Sequence, residues 1–466
     1  MRKTALILFT TLISLSIYAQ DISGKWNGIL KVQGIQLRLV FNISQTEKGY
    51  SSTMDSPDQG AKGIPVTSIN YENKTLKLEV SSAGIQYEGI LNEEEVFVGT
   101  FKQGGQSISF NLTKEKLESE KTIRPQEPTK PYPYYSEDVK FENTKDEITL
   151  AGTLSLPEKD GNFPAVILIS GSGPQNRDEE LLGHKPFLVL SDYLTKNGIA
   201  VLRFDDRGTA ESTGDFATAT SFDFATDVES AIKYLKTRKE INKNKIGLIG
   251  HSEGGIIAPI VTTKSKDVAF IVLLAGTGIR GDQLLLLQQE LVGRASGISD
   301  SVLQKAKVVN GGAFDIILKS ENTDLLETEL TNYIKQALKD NPESGKPAGM
   351  SEEDYVKLQV TQLIRPWMYY FIKHDPAPTL EKVNCPVLAI NGEKDLQVPA
   401  PVNLEAIKKA LEKGGNKNVT TKELSNLNHL FQECETGSPS EYASIEQTFS
   451  PIALAEILNW ILKQVK

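Results

Sequence analysis

From residue 21 to about 117 the chain alternates apolar and polar positions in short runs. Gly28-Ile-Leu-Lys-Val, Ile35-Gln-Leu-Arg-Leu-Val-Phe-Asn-Ile, Leu76-Lys-Leu-Glu-Val, Gln86-Tyr-Glu-Gly-Ile-Leu, Val96-Phe-Val-Gly-Thr-Phe and Ser107-Ile-Ser-Phe-Asn-Leu keep a period near two. That period marks strands buried on one face. With turn residues every ten to fifteen positions, it predicts a small all-β domain, an antiparallel sandwich or barrel. Residues 118–137 follow with Pro125, Pro128, Pro131 and Pro133. Proline at that density predicts an extended linker.

The pattern changes after residue 138. Val139-Lys-Phe-Glu-Asn and Ile148-Thr-Leu-Ala-Gly-Thr-Leu-Ser-Leu predict an edge hairpin. Ala165-Val-Ile-Leu-Ile, Ala200-Val-Leu-Arg-Phe, Ile246-Gly-Leu-Ile, Phe270-Ile-Val-Leu-Leu and Val387-Leu-Ala-Ile are short apolar runs. Such runs fit parallel strands covered on both faces. Between them, Phe224 to Lys236 places Phe224, Ala225, Val228, Ala231, Ile232 and Leu235 at helical spacing, and Ile452 to Val465 does the same. Alternating strand and helix predicts a doubly wound, mostly parallel α/β sheet over residues 138–466. The interval from Leu274 to Val387 is too long for one connection. Its helical patterns at Gln283–Leu291, Ser301–Val309, Asp324–Lys339 and Ser351–Ile364 predict a helical cap at about 280–375.

Charge and composition narrow the functions. A net charge of −9 argues against a nucleic-acid partner. Arg2 and Lys3 precede an apolar run, Ala5 to Ile17, that ends near Ala19. This reads as a signal peptide over residues 1–19, too short and too interrupted by hydroxyls to span a bilayer. The mature chain is therefore expected to be exported, periplasmic or extracellular, without stable membrane insertion. Cys385 and Cys434 would then meet an oxidising compartment, where pairing is open. Four histidines exist, His184, His251, His374 and His429, and none form a pair at metal-ligand spacing. No metal and no cofactor are expected.

The chemistry centres on Gly250-His251-Ser252-Glu253-Gly254, placed after a buried strand and before an apolar helix-like run. A Gly-x-Ser-x-Gly turn at that junction exposes the serine on a sharp elbow, and the glycines let strand and helix approach. The bland reading is an ordinary turn serine. A serine hydroxyl needs a base held by a third group, and behind such an elbow the acid precedes the base along the chain. Asp395 stands in the polar loop after Val387–Ile390, with Glu393 as competitor; His429 is the histidine that follows. His251 reads as packing, because neighbours on a tight turn point apart. His184 and His374 read as structural. Oxyanion donors are expected from the N–H of Glu253 and, in the loop Ser170-Gly171-Ser172-Gly173-Pro174, from the N–H of Ser172.

These segments resemble the α/β-hydrolase superfamily, and within it bacterial serine esterases and serine-aminopeptidase-like hydrolases. The resemblance rests on Gly171-Ser-Gly-Pro-Gln-Asn-Arg-Asp, Arg203-Phe-Asp-Asp-Arg-Gly208, Gly250-His-Ser-Glu-Gly254 and Asn391-Gly-Glu-Lys-Asp with Asn428-His-Leu-Phe431. It leaves the β domain uncovered. It implies Ser252, Asp395 and His429 as a triad that hydrolyses small-molecule carboxylic esters of short to medium acyl length. It also implies that Asp206 and Arg207 form structural ion pairs. Ser170 departs from relatives that carry histidine there. Trp367 and Tyr370, where the chain leaves the cap, would line the substrate pocket or pack in the core. Two alternatives stay open: a serine peptidase or aminopeptidase on the same triad, with cap acids such as Glu290 or Asp300 near the pocket, and a non-catalytic exported binding protein.

Overall fold

The computed structural model describes residues 21–466 apart from 33–34, 47–48, 58–60, 104–105, 118–123, 322, 341–345 and 347–350. The expected signal peptide and the start of the Pro-rich stretch therefore lie outside the described residues. Gln36–Ser119 falls in one compact unit and Glu120–Lys466 in a second.

The first unit holds two sheets. One has the order β1 (Gly24–Val32), β2 (Ile35–Thr46), β3 (Gly49–Ser56), β4 (Ala61–Pro65). The other runs β5 (Ser68–Glu72), β6 (Thr75–Val80), β7 (Ile85–Leu91), β8 (Phe97–Gln103), β9 (Gln106–Ser109), each strand antiparallel to the next. The alternating positions of these strands bury Trp26, Phe41, Leu76, Phe97, Phe101 and Phe110. Strand β3 escapes the sequence pattern because serine and threonine fill four of its eight positions, and β4 and β5 because each is only five residues long.

In the second unit an eight-stranded sheet runs in the order β10 (Tyr135–Asn143), β11 (Ile148–Leu156), β13 (Ala200–Phe204), β12 (Phe163–Ile169), β14 (Ile241–His251), β15 (Phe270–Leu274), β16 (Val387–Gly392), β17 (Val419–Leu424). The β10–β11 hairpin and the β11–β13 pair are antiparallel; from β13 to β17 every pair is parallel. The apolar runs divide by alternation. Ala165, Ile167 and Ile169 face α2 (Ser221–Thr237), α3 (Gly254–Lys264) and α10 (Ala400–Lys413), whereas Val166 and Leu168 face α1 (Pro186–Lys196) and α11 (Pro451–Gln464). Both faces are thereby covered, which is why these strands read as continuous rather than alternating hydrophobics.

Between β15 and β16 the chain forms α4 (Gly281–Ala295), α5 (Asp300–Lys319), α6 (Thr323–Asp340), α7 (Glu352–Ile364), α8 (Pro366–Lys373) and the short α9 (Ala377–Leu380). Phe314, Ile317, Leu330, Ile334, Val360 and Ile372 give α5 to α8 a core of their own. The Pro-rich stretch is fastened down where it is described. Arg124 donates to the carbonyls of Leu182, Gly183, Ala443 and Ile445, and Gln126 bonds the backbone of Thr448 and Phe449. Residues 124–126 thus belong to the second unit. Among the described residues no helix is long and apolar enough to cross a membrane. Cys385 and Cys434 are free thiols.

Candidate active site

Strand order reverses at β12: the chain leaves it for β13 on one side and returns to β14 on the other. Loops that follow the two strands at such a switch point part in opposite directions and open a crevice at their carboxyl ends. Ile169 pairs with Gly250, so the Ser170–Pro174 loop starts beside His251 and Ser252. Leu274 pairs with both His251 and Ile390, which brings the end of β16 level with the elbow.

Ser252 holds φ at 51°, the strained left-handed region that a nucleophile elbow imposes. Its N–H donates to Leu274 O at 2.8 Å. A Cβ on Gly250 would meet Gly254 O at 2.0 Å, and one on Gly254 would meet Ile169 O at 2.3 Å. Side chains at either position would force strand and helix apart, so the glycine requirement is steric.

The late residues converge on the same place. Asp395, in the loop after β16, is 2% exposed, and its Oδ2 lies 2.8 Å from His429 Nδ1. Its Oδ1 accepts the N–H groups of Gln397 and Val398, each at 2.8 Å. The competitor Glu393 instead accepts the N–H of Asn426. The His429 loop is folded by Asn428, whose Oδ1 accepts the N–H groups of Leu430 and Gln432. Ser252 and His429 face one cavity of about 150 Å³. Among the described residues no hydrogen bond joins Ser252 Oγ to His429, as often holds before substrate tightens such contacts.

Two buried carboxyls shape the loop after β12. Ser170 Oγ and Gln175 N–H donate to Asp206 at 2.7 and 2.9 Å, and Gly171 N–H donates to Glu179 Oε1 at 2.7 Å. The N–H groups of Ser172 and Glu253 have no acceptor among the described residues, and both residues line the cavity. Glu253 also stands at the N-terminus of α3, where the helix dipole favours negative charge.

Asp206 corrects the expectation drawn for it. Among the described residues it makes no ion pair; burial pushes its pKa well up, the bonds from Ser170 and Gln175 oppose that, and neighbouring Glu253 and Glu179 add to it. Arg207 does pair, with Asp227 at 2.7 Å and Asp146 at 2.8 Å. Ser170, the departure from the resemblance, is a donor to Asp206 and so part of the loop's scaffold.

His251 has more than a packing role. Its Nδ1 lies 2.9 Å from Glu179 Oε1 and its Nε2 lies 3.0 Å from His429 O, so one ring ties the β12 loop to the His429 backbone. Burial lowers its pKa, and the Glu179 carboxylate and the His429 carbonyl outweigh that and raise it. Glu253 was legible only as a backbone donor. Its side chain is 3% exposed, and Oε1 accepts Ser221 Oγ–H at 2.6 Å and Trp367 Nε1–H at 2.8 Å. Burial raises its pKa to about 7 against those two bonds.

Trp367 lines the cavity and stacks on Phe371, one helical turn further along α8. Tyr370 does not line it. Its ring stacks on His374 instead. Glu290 and Asp300 are likewise off the wall: Glu290 pairs with Lys307 and Arg294, and Asp300 with Arg294.

A doubly wound sheet with a serine elbow, an acid after a late strand and a histidine in the last loop before the final helix defines an α/β hydrolase. Within that class the chain belongs to the serine aminopeptidase family, S33, whose profile matches residues 186–435, more than half of its 466 residues. It is 25% identical to the esterase EstD of Thermotoga maritima over 433 residues, which covers 90% of this chain and 93% of that one. Solved structures that resemble it include the α/β hydrolase GrgF from a Penicillium species, at TM-score 0.43 and 17% identity over 71% of this chain and 98% of that one. Another is the Pyrococcus furiosus esterase Pf2001, at TM-score 0.43 and 16% identity over 75% of this chain and all of that one.

Proposed function

We propose that the chain is a serine hydrolase that cleaves carboxylic esters through an acyl-enzyme on Ser252. The observation that carries this reading is the Asp395–His429 pair, 2.8 Å apart, opening onto the cavity that also holds the Ser252 elbow. His429 Nε2 takes the proton of Ser252 as its oxygen attacks the ester carbonyl, then returns it to the leaving alcohol. Asp395 keeps the other imidazole proton on Nδ1 and stabilises the charged ring. The N–H groups of Ser172 and Glu253 receive the oxyanion. Water then repeats the sequence to release the acid.

The ester preference also draws support from EstD, similar over nearly its whole length and named an esterase. An aminopeptidase reading has the family's description in its favour. Hydrolysis of p-nitrophenyl acetate and butyrate, compared with amino-acid p-nitroanilides, tests the choice. Ester turnover at least ten times the anilide turnover is expected, with both lost in Ser252→Ala. A preference for anilides would reverse the assignment, and ligand binding without turnover in either protein would favour a binding role. Export of the mature chain is part of the proposal and rests on the N-terminal pattern alone; N-terminal sequencing of secreted protein, with a start at Gln20 or Asp21, tests it.

A further inference from the structure

Among the described residues that line the cavity there is no lysine or arginine. Leu284, Leu285, Phe371 and Leu430 supply much of its apolar surface, and Gln288 and Gln397 its neutral polar one. The two wall residues with ionisable carboxyls are Glu179 and Glu253. Glu179 Oε1 accepts the N–H of Gly171 and faces His251 Nδ1, whose charged form it favours. Among the described residues Glu253 has no cationic partner. Ser221 from α2 and Trp367 from α8 each give it one neutral hydrogen bond. The other titratable groups that bear on it are Tyr370 from α8 and Asp206 from the loop after β13, and neither supplies positive charge.

On the reading that Ser252 cleaves esters, we propose that this cavity selects uncharged esters of short acids and turns away acyl chains ending in a carboxylate, with Glu253 as the residue that sets the charge preference. Size and charge contribute separately. A cavity of about 150 Å³ admits a group of roughly benzene size. A carboxylate brought into it meets no lysine or arginine among the described wall residues and stands near a carboxyl whose ionised form repels it at low effective dielectric. Because Glu253 titrates near pH 7, the repulsion grows between pH 6 and 8 and fades below. Gln would keep the acceptor that Ser221 and Trp367 use and remove the charge.

The test compares kcat/KM for phenyl pentanoate and for the monophenyl ester of glutaric acid, similar in length and different in terminal charge, with spontaneous hydrolysis subtracted. Wild-type protein is expected to favour the neutral ester by at least about a hundredfold at pH 8, and by at least tenfold less at pH 5.5. Glu253→Gln is expected to show the smaller ratio at both pH values. A wild-type ratio near one at pH 8, or one that does not move with pH, overturns the charge selection while leaving ester cleavage intact. If phenyl pentanoate itself is not hydrolysed, the ester reading fails and this inference with it.

Discussion

Replacing Asp395 by asparagine separates two jobs of one carboxylate. Oδ1 accepts the N–H groups of Gln397 and Val398, and Oδ2 faces His429 Nδ1. In Asp395→Asn the amide oxygen keeps both backbone bonds, and the amide NH₂ is left to face His429. A donor there drives the imidazole proton onto Nε2, the nitrogen that must accept from Ser252. The expected loss in kcat is on the order of 10⁴-fold, equivalent to about 5 kcal/mol of barrier. Asp395→Ala removes the same orienting group and also strands two N–H donors. At about 1–3 kcal/mol for each unsatisfied buried group, the alanine variant should be about 2–6 kcal/mol less stable than the asparagine one. Steady-state hydrolysis of p-nitrophenyl butyrate and urea denaturation of the three proteins read the two effects. An asparagine variant with more than about a hundredth of wild-type kcat would refute the assigned role, and equal stability of the two variants would refute the hydrogen-bond accounting.

Glu253→Gln should also change stability with pH. Its folded pKa of about 7 lies above the unfolded value of 4.5, so the folded state binds the proton more tightly. Stability tied to this group is present below pH 4.5 and lost as pH rises through 7, a difference of about 3 kcal/mol. The glutamine variant should therefore match wild type near pH 4 and exceed it in urea midpoint at pH 8; identical midpoints at pH 8 would contradict the burial. Ser170→Ala removes the side-chain donor that ties the β12 loop to Asp206, and kcat for p-nitrophenyl acetate should fall about tenfold with KM little changed, whereas a pure KM effect would mean the loop does not position the oxyanion donors. Trp367→Ala deletes a wall of the cavity, so the acyl length of highest kcat/KM should move to longer chains across a p-nitrophenyl ester series; an unchanged optimum would place the acyl group elsewhere.

Much of the catalytic unit is legible because its signals are local. Five apolar runs mark central strands, chain order singles out His429 and narrows the acid to Asp395 or Glu393, and long helical patterns mark the cap. What stays hidden depends on partners distant in sequence. His251 meets Glu179 across 72 residues and the His429 backbone across 178, and no spacing along the chain encodes either contact. Asp206 sits in a run that reads as charged and pairable, yet its neighbours in space are Ser170 and Gln175. Glu253 carried one usable signal, an acidic residue between a buried strand and an apolar helix, where a charge has little water to face. Tyr370 shows the opposite limit: composition marks the aromatic cluster, and no pattern along the chain tells which of its rings reach the cavity. In the first unit β3 has Ser52 and Ser56 among its inward positions and so leaves only a broken apolar period to read.

The central claim is that the Ser252 hydroxyl is made nucleophilic by His429 and Asp395. Labelling of the folded full-length protein with a fluorophosphonate, followed by peptide mapping, measures that reactivity at one atom. The account predicts a single stoichiometric adduct on the peptide containing Ser252, abolished by Ser252→Ala and strongly slowed by His429→Ala. An adduct on any other residue, or none in folded protein, would contradict it.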